Sequence, residues 1–202
     1  LTSDLSTKTT IYNSAIKLFP EDYKAYNDLA CVKAYEGNKD EAKTLLDKAN
    51  SLSPNNGVVL NNIGVFALMN KDYEAAKQAF EASEKAGFSQ AYNNGVLDLK
   101  KGDYAAAASK MSGTKCDYNL ALNQLLSKNY TGAKATLDCI ANKTADDYYL
   151  LAIVAARTNN TANIYSNLKE ACAKNSNYKI QAAKDMEFKT FRDNADFKNA
   201  IK

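Results

Sequence analysis

Apolar and small residues recur along this chain at intervals of three and four, in blocks separated by short polar turns. Between Tyr23 and Asn56, Tyr26, Leu29 and Ala30 mark one helical face, Gly37 and Asn38 interrupt it, and Ala42, Leu45, Leu46 and Ala49 mark a second. That spacing puts side chains on one side of an α-helix. The stretch therefore predicts two helices joined by a tight turn, with Asp40 as the cap of the second and Pro54 closing the pair.

The pair is repeated. Ala30, Ala42 and Ala49 have counterparts in Gly64, Ala76 and Ser83, in Gly95 and Ala107, in Ala121 and Ala133, and in a more degraded copy at Ala152, Ile164 and Ala171. A period of roughly 34 residues built from helix pairs predicts an array of stacked hairpins, here 23–56, 57–87, 88–113, 114–144 and 145–177. The third copy is shortened, so its second helix is expected to end early. Residues 1–22 read as a partial repeat or an N-terminal cap helix: Ser6 to Phe19 matches a second helix, and either a lone cap or a cut from a larger array accounts for it. Residues 178–202 read as C-terminal capping helices. There Tyr178, Ile180, Ala183 and Phe188 are expected to continue an amphipathic helix, and Phe191, Phe197, Ala200 and Ile201 to cover the last hairpin.

Composition narrows the field. Of 202 residues, 46% are hydrophobic and only 8 are glycine and 2 proline, so long helices face little interruption. The 26 basic and 23 acidic residues are interleaved and form no dense basic stretch, which argues against nucleic acid as a partner. No apolar run approaches the length needed to cross a bilayer. The chain begins at Leu1 without methionine or an apolar signal segment, as expected of a processed or trimmed piece.

Reactive groups are sparse. Histidine is absent, and none of the four cysteines, Cys31, Cys116, Cys139 and Cys172, forms a Cys-x-x-Cys pair, so no zinc site of usual spacing is present and no metal or cofactor is expected. Cys116 and Cys139 are expected on the two antiparallel helices of one hairpin, either bonded or as idle thiols. Asp146 beside Asp147 is the tightest acidic pair, and its expected role is capping; a carboxylate-based catalytic site is the alternative. No phosphate-cradling glycine pattern occurs.

Tyr26, Leu29, Ala30, Gly37, Ala42, Leu46, Ala49 and Pro54 resemble the tetratricopeptide repeat, and the match recurs from copy to copy. The resemblance implies an all-α, right-handed superhelical α-solenoid of antiparallel helix pairs. It also implies that the first helices line a concave face on which equivalent positions form ladders. One ladder is Asn27, Asn61, Tyr92, Tyr118 and Tyr149; a second is Cys31, Val65, Val96, Leu122 and Ile153; a third is Ala34, Leu68, Leu99, Leu125 and Ala156. Tyrosines beside leucines suit capture of a peptide, a helix or a neighbouring domain. The alternative is that the shortened third copy and the C-terminal tail bend inward and bury these residues within the chain. Asn62, Asn93 and Asn119 repeat at an inner position where their amides are expected to tie helix to helix, meeting a peptide backbone being the alternative. The Asn61 to Val65 and Tyr148 to Arg157 stretches are similar to tetratricopeptide regions of Bacteroidetes envelope proteins, which implies a periplasmic or outer-membrane-associated scaffold or spacer, a cytoplasmic one being the alternative. The function so implied is non-enzymatic protein binding.

Overall fold

The computed structural model describes residues 2–202, and among them every regular element is helical. Helix α1 (Thr2–Leu18) precedes α2 (Tyr23–Tyr35) paired with α3 (Lys39–Leu52), α4 (Gly57–Met69) paired with α5 (Tyr73–Lys85), then α6 (Ala91–Lys101) and α7 (Tyr104–Lys110) in succession, α8 (Tyr118–Leu126) paired with α9 (Tyr130–Asp138), and α10 (Ala145–Arg157) paired with α11 (Thr161–Lys174). The chain falls into two compact halves, 1–101 and 102–202, divided between α6 and α7 inside the third hairpin. As the shortened third copy requires, α7 is only seven residues long.

One turn is used in all five hairpins. After the first helix comes a residue in the left-handed region, Gly37 (φ 82°), Lys71 (63°), Gly102 (87°), Lys128 (62°) or Asn159 (53°). The next residue is Asn or Asp, and its side chain accepts the N–H three residues on: Asn38 from Glu41, Asp72 from Ala75, Asp103 from Ala106, Asn129 from Gly132 and Asn160 from Asn163. Left-handed geometry ends one helix and satisfies its last carbonyls, and the capping side chain starts the next. In four of the turns the capping residue's own N–H reaches back to a carbonyl five residues earlier, as in Asn38 to Lys33 and Asp72 to Ala67. Asn38, not Asp40, is therefore the cap of α3: the residue directly after the left-handed position has a non-helical backbone (φ −81°, ψ 79°) and its side chain accepts from the Glu41 N–H, whereas Asp40 already lies inside the helix.

Small residues set the packing distance in the N-terminal half. A Cβ added to Gly64 would stand 2.4 Å from Cε1 of Phe80, whose ring is fully buried. Ala30, Ala42, Ala49 and Ala76 are likewise sealed from solvent. In the C-terminal half, Ala121, Leu125, Ala133 and Leu137 pack with Leu150, Leu151 and Val154, and a second cluster joins Ala152, Ile164, Leu168 and Ala171 to Phe188, Phe197 and Ala200 of the tail.

Within the tail, the amphipathic helix expected through Tyr178, Ile180, Ala183 and Phe188 is interrupted. Helix α12 (Asn177–Lys184) stops, a 3-10 turn (Met186–Phe191) follows, and α13 (Ala195–Ala200) ends the chain. Ala182 is buried, Ala183 is exposed and Ile180 is 64% exposed, because α12 turns its Ala182 side to the core; Phe188 reaches the core from the 3-10 turn instead. The expected cover is present in Phe197 and Ala200, both buried against the last hairpin. Cys116 and Cys139 are joined by a disulfide, with Cα atoms 5.3 Å apart. They do not lie on the hairpin's helices but flank them: Cys116 precedes α8, and Cys139 caps the C-terminus of α9.

Candidate functional site

On α2 and α4 the polar positions of the first ladder are spent on each other. Asn62 donates to Asn27 at 2.9 Å, Asn61 to Asn62 at 2.9 Å, and Asn93 to Asn61 at 2.6 Å. Asn27 donates onward to Asp28 at 3.0 Å. At the other end Asn93 donates to Gln90, Gln90 to Ser83, and Ser83 to the Gly57 carbonyl. An amide has both donor and acceptor, so each member relays the chain and the first helices of three hairpins are strung together. Asn62 and Asn93 thus tie helix to helix. Asn27, only 4% exposed, is held in the same relay.

One turn further along the same two helices the surface changes character. Cys31, Ala34 and Tyr35 of α2 face Val65, Phe66 and Met69 of α4 across an apolar cleft of about 140 Å³, floored by Ala30 and Leu46 and closed at one end by Asn62. Tyr35 is 68% and Met69 55% exposed, so the rim is two large apolar side chains open to water. Cys31 and Val65 stand at matched repeat positions, as do Tyr35 and Met69, so the cleft is built by the repeat itself. Cys31 is exposed at the cleft edge, and desolvation by its neighbours, then nearby Asp28, pushes its thiol up.

The other sequence-predicted positions fall into two groups. Leu68, beside the cleft, packs into the Phe80 cluster, Tyr92 is half-buried, and Val96 and Leu99 are buried. In the C-terminal half, Tyr118, Leu122 and Ile153 pack half-buried against the Leu125 and Leu137 cluster. Tyr149 is covered: its ring stacks on Tyr178 at 4.4 Å and meets Phe188 edge-on, and its hydroxyl donates to Asp185 at 2.7 Å. Burial, then that hydrogen bond, holds the Tyr149 pKa far above the ordinary tyrosine value. Tyr178 donates to Asp146 at 2.6 Å and is shifted the same way, again mainly by burial. The tail therefore occupies this end of the ladder, the alternative the sequence left open.

Asp147 returns to the Thr144 backbone and hydroxyl in a capping box, and Asp146 receives Tyr178, so the acidic pair is engaged in holding α10 and the tail. Among the described residues no cluster of histidine, cysteine and carboxylate side chains is placed to hold a metal ion, and no helix is long and apolar enough to cross a membrane. Sequence reasoning missed Tyr35, Phe66 and Met69. The repeat spacing shared by Tyr35 and Met69 was a usable sign, since each directly follows a third-ladder position, Ala34 or Leu68.

No family model matches the chain, and no curated protein sequence does either. Solved structures do. A tetratricopeptide repeat protein from Parabacteroides merdae superposes with a TM-score of 0.68 at 16% identity, covering 86% of this chain and 73% of that one. The Cut9–Hcn1 hetero-tetramer of APC/C gives 0.78 at 15% identity over 100% of this chain and 40% of its match. The type IV pilus biogenesis factor PilW gives 0.66 at 18% identity, over 94% and 91%. The fold is that of the tetratricopeptide repeat. Within it the glycine position of the repeat turn is filled by lysine twice and asparagine once, and the left-handed geometry survives the change.

Proposed function

We propose that this tetratricopeptide-fold chain is a non-enzymatic protein-binding module that captures an apolar side chain of a peptide or helix in the α2/α4 cleft. The observation that carries the reading is the pairing of an enclosed apolar floor with two exposed apolar rim residues, Tyr35 and Met69. Isolated exposed apolar residues are ordinary, but a concave apolar surface with an amphipathic aromatic at its edge is how short peptides are usually held. The Asn27–Asn62–Asn61–Asn93 relay beneath supports it, because it fixes the spacing of the helices that form the walls.

The setting we propose is the cell envelope. Disulfides persist in oxidising compartments, and one is formed here. PilW, a protein of similar fold, is a type IV pilus biogenesis factor.

The test is a peptide-display selection against the whole chain, followed by calorimetry of the selected peptides on the chain and on Tyr35→Ser/Met69→Ser. Because both residues are exposed, the variant is expected to stay folded, which its circular dichroism and melting temperature check. Removing two apolar contacts is expected to weaken binding by at least about tenfold. Selected peptides that bind the variant as tightly as the original chain would place recognition elsewhere.

A further inference from the structure

We propose that the Cys116–Cys139 disulfide is what keeps the α7–α9 segment folded, so that this part of the molecule loosens locally when the bond is reduced. The reading is independent of the cleft. Helices α2 to α5, α10 and α11 have 13 or 14 residues. Helix α7 has 7, and α8 and α9 have 9 each, so the shortest hairpin helices are consecutive in sequence. Ala107 is the one buried residue of α7, and α8 and α9 bury three each. Helices of about two turns do not hold themselves in water and depend on tertiary contacts and crosslinks to stay formed.

The bond is placed where that weakness is greatest. The α8–α9 pair is closed at one end by the Lys128–Asn129 turn. At the other end Cys116, from the irregular stretch after α7, is tied to Cys139 at the C-cap of α9. The hairpin is thus fastened at both ends, and a crosslink spanning a sequence separation of 23 removes much of the freedom the opened segment would gain. Both cysteines are exposed, so a soluble reductant reaches the bond without unfolding the core. Formation oxidises two thiols: two protons leave, and two electrons pass to a disulfide oxidant such as oxidised glutathione, which departs as two thiols. A dithiol reductant reverses the step. Buried Cys172 and Cys31, in the two halves, take no part.

The experiment uses the whole chain, oxidised with glutathione disulfide and then compared before and after reduction. Alkylation of the denatured chain is expected to modify two of the four cysteines before reduction and all four after it. Hydrogen exchange read by mass spectrometry is expected to speed up about tenfold or more over residues 104–143 on reduction, with 23–52 unchanged. The melting temperature is expected to fall by roughly 5 to 12 °C. Cys116→Ser/Cys139→Ser should reproduce the reduced chain under oxidising conditions, and Cys31→Ser/Cys172→Ser should leave the difference between oxidised and reduced forms intact. Four modifiable thiols after oxidation, unchanged exchange over 104–143, or a rise spread evenly along the chain would each overturn the proposal.

Discussion

At the scale of single residues, the repeat is written in backbone conformation as much as in apolar pattern. Lys71 and Lys128 hold left-handed backbones that cost a side-chain-bearing residue about 1 kcal/mol or more. Lys71→Gly and Lys128→Gly are each expected to raise unfolding stability by about 0.5 to 1 kcal/mol, read from urea denaturation. An unchanged or lower midpoint would show that the turn is not under that strain. Gly64 is the opposite case. Its replacement by alanine drives a methyl into the buried Phe80 ring and is expected to cost about 1 to 3 kcal/mol. The small-residue stripe was legible from Gly64, Ala76 and Ser83 in the sequence. The left-handed lysines were not, because nothing in a lysine's chemistry announces that conformation and only the neighbouring Asp72 and Asn129 caps betray it.

At the scale of elements, helices of 13 or 14 residues carry enough turns for three and four residue spacing to define a face. The hairpin 57–87 contains α4 and α5 almost end to end. Prediction failed in the tail, where α12 is too short for three and four residue spacing to define a face, and Phe188 enters the core from a 3-10 turn. That tail is clamped by Tyr149 to Asp185, Tyr178 to Asp146, and a paired contact of Arg157 with Glu187. The two tyrosine pKa values are raised above the unfolded value of about 10. The folded chain therefore holds these protons more tightly than the unfolded one. Their stabilisation is complete below pH about 10 and is lost as pH rises through the still higher folded values. Urea midpoints measured from pH 9 to 11.5 are expected to fall above pH about 10, and more shallowly in Tyr178→Phe, which has no proton to lose. Equal slopes would show that the clamp does not couple to the phenol.

At the scale of the whole molecule, the helix-pair architecture could be read from spacing alone, since period and turn residues recur over most of the chain. The division into halves at Lys101 and Gly102 could not. It falls inside a hairpin whose pattern is shortened but still recognisable. The proposed binding cleft was partly legible: Cys31, Ala34 and Val65 line it, whereas Asn27 is consumed by the amide relay and Tyr149 by the tail. Both losses arise from partners distant in sequence, which periodicity does not report.

The three methionines give a direct readout of the central claim. Met69 sits on the cleft rim, Met186 is 69% exposed outside it, and Met111 is buried. With their methyl groups carbon-13 labelled, the whole chain would be titrated with a peptide from the selection and followed by nuclear magnetic resonance. Capture in the cleft predicts a saturable shift of Met69 alone. Movement of Met186 to the same degree, or a stationary Met69 while the peptide binds, would contradict it.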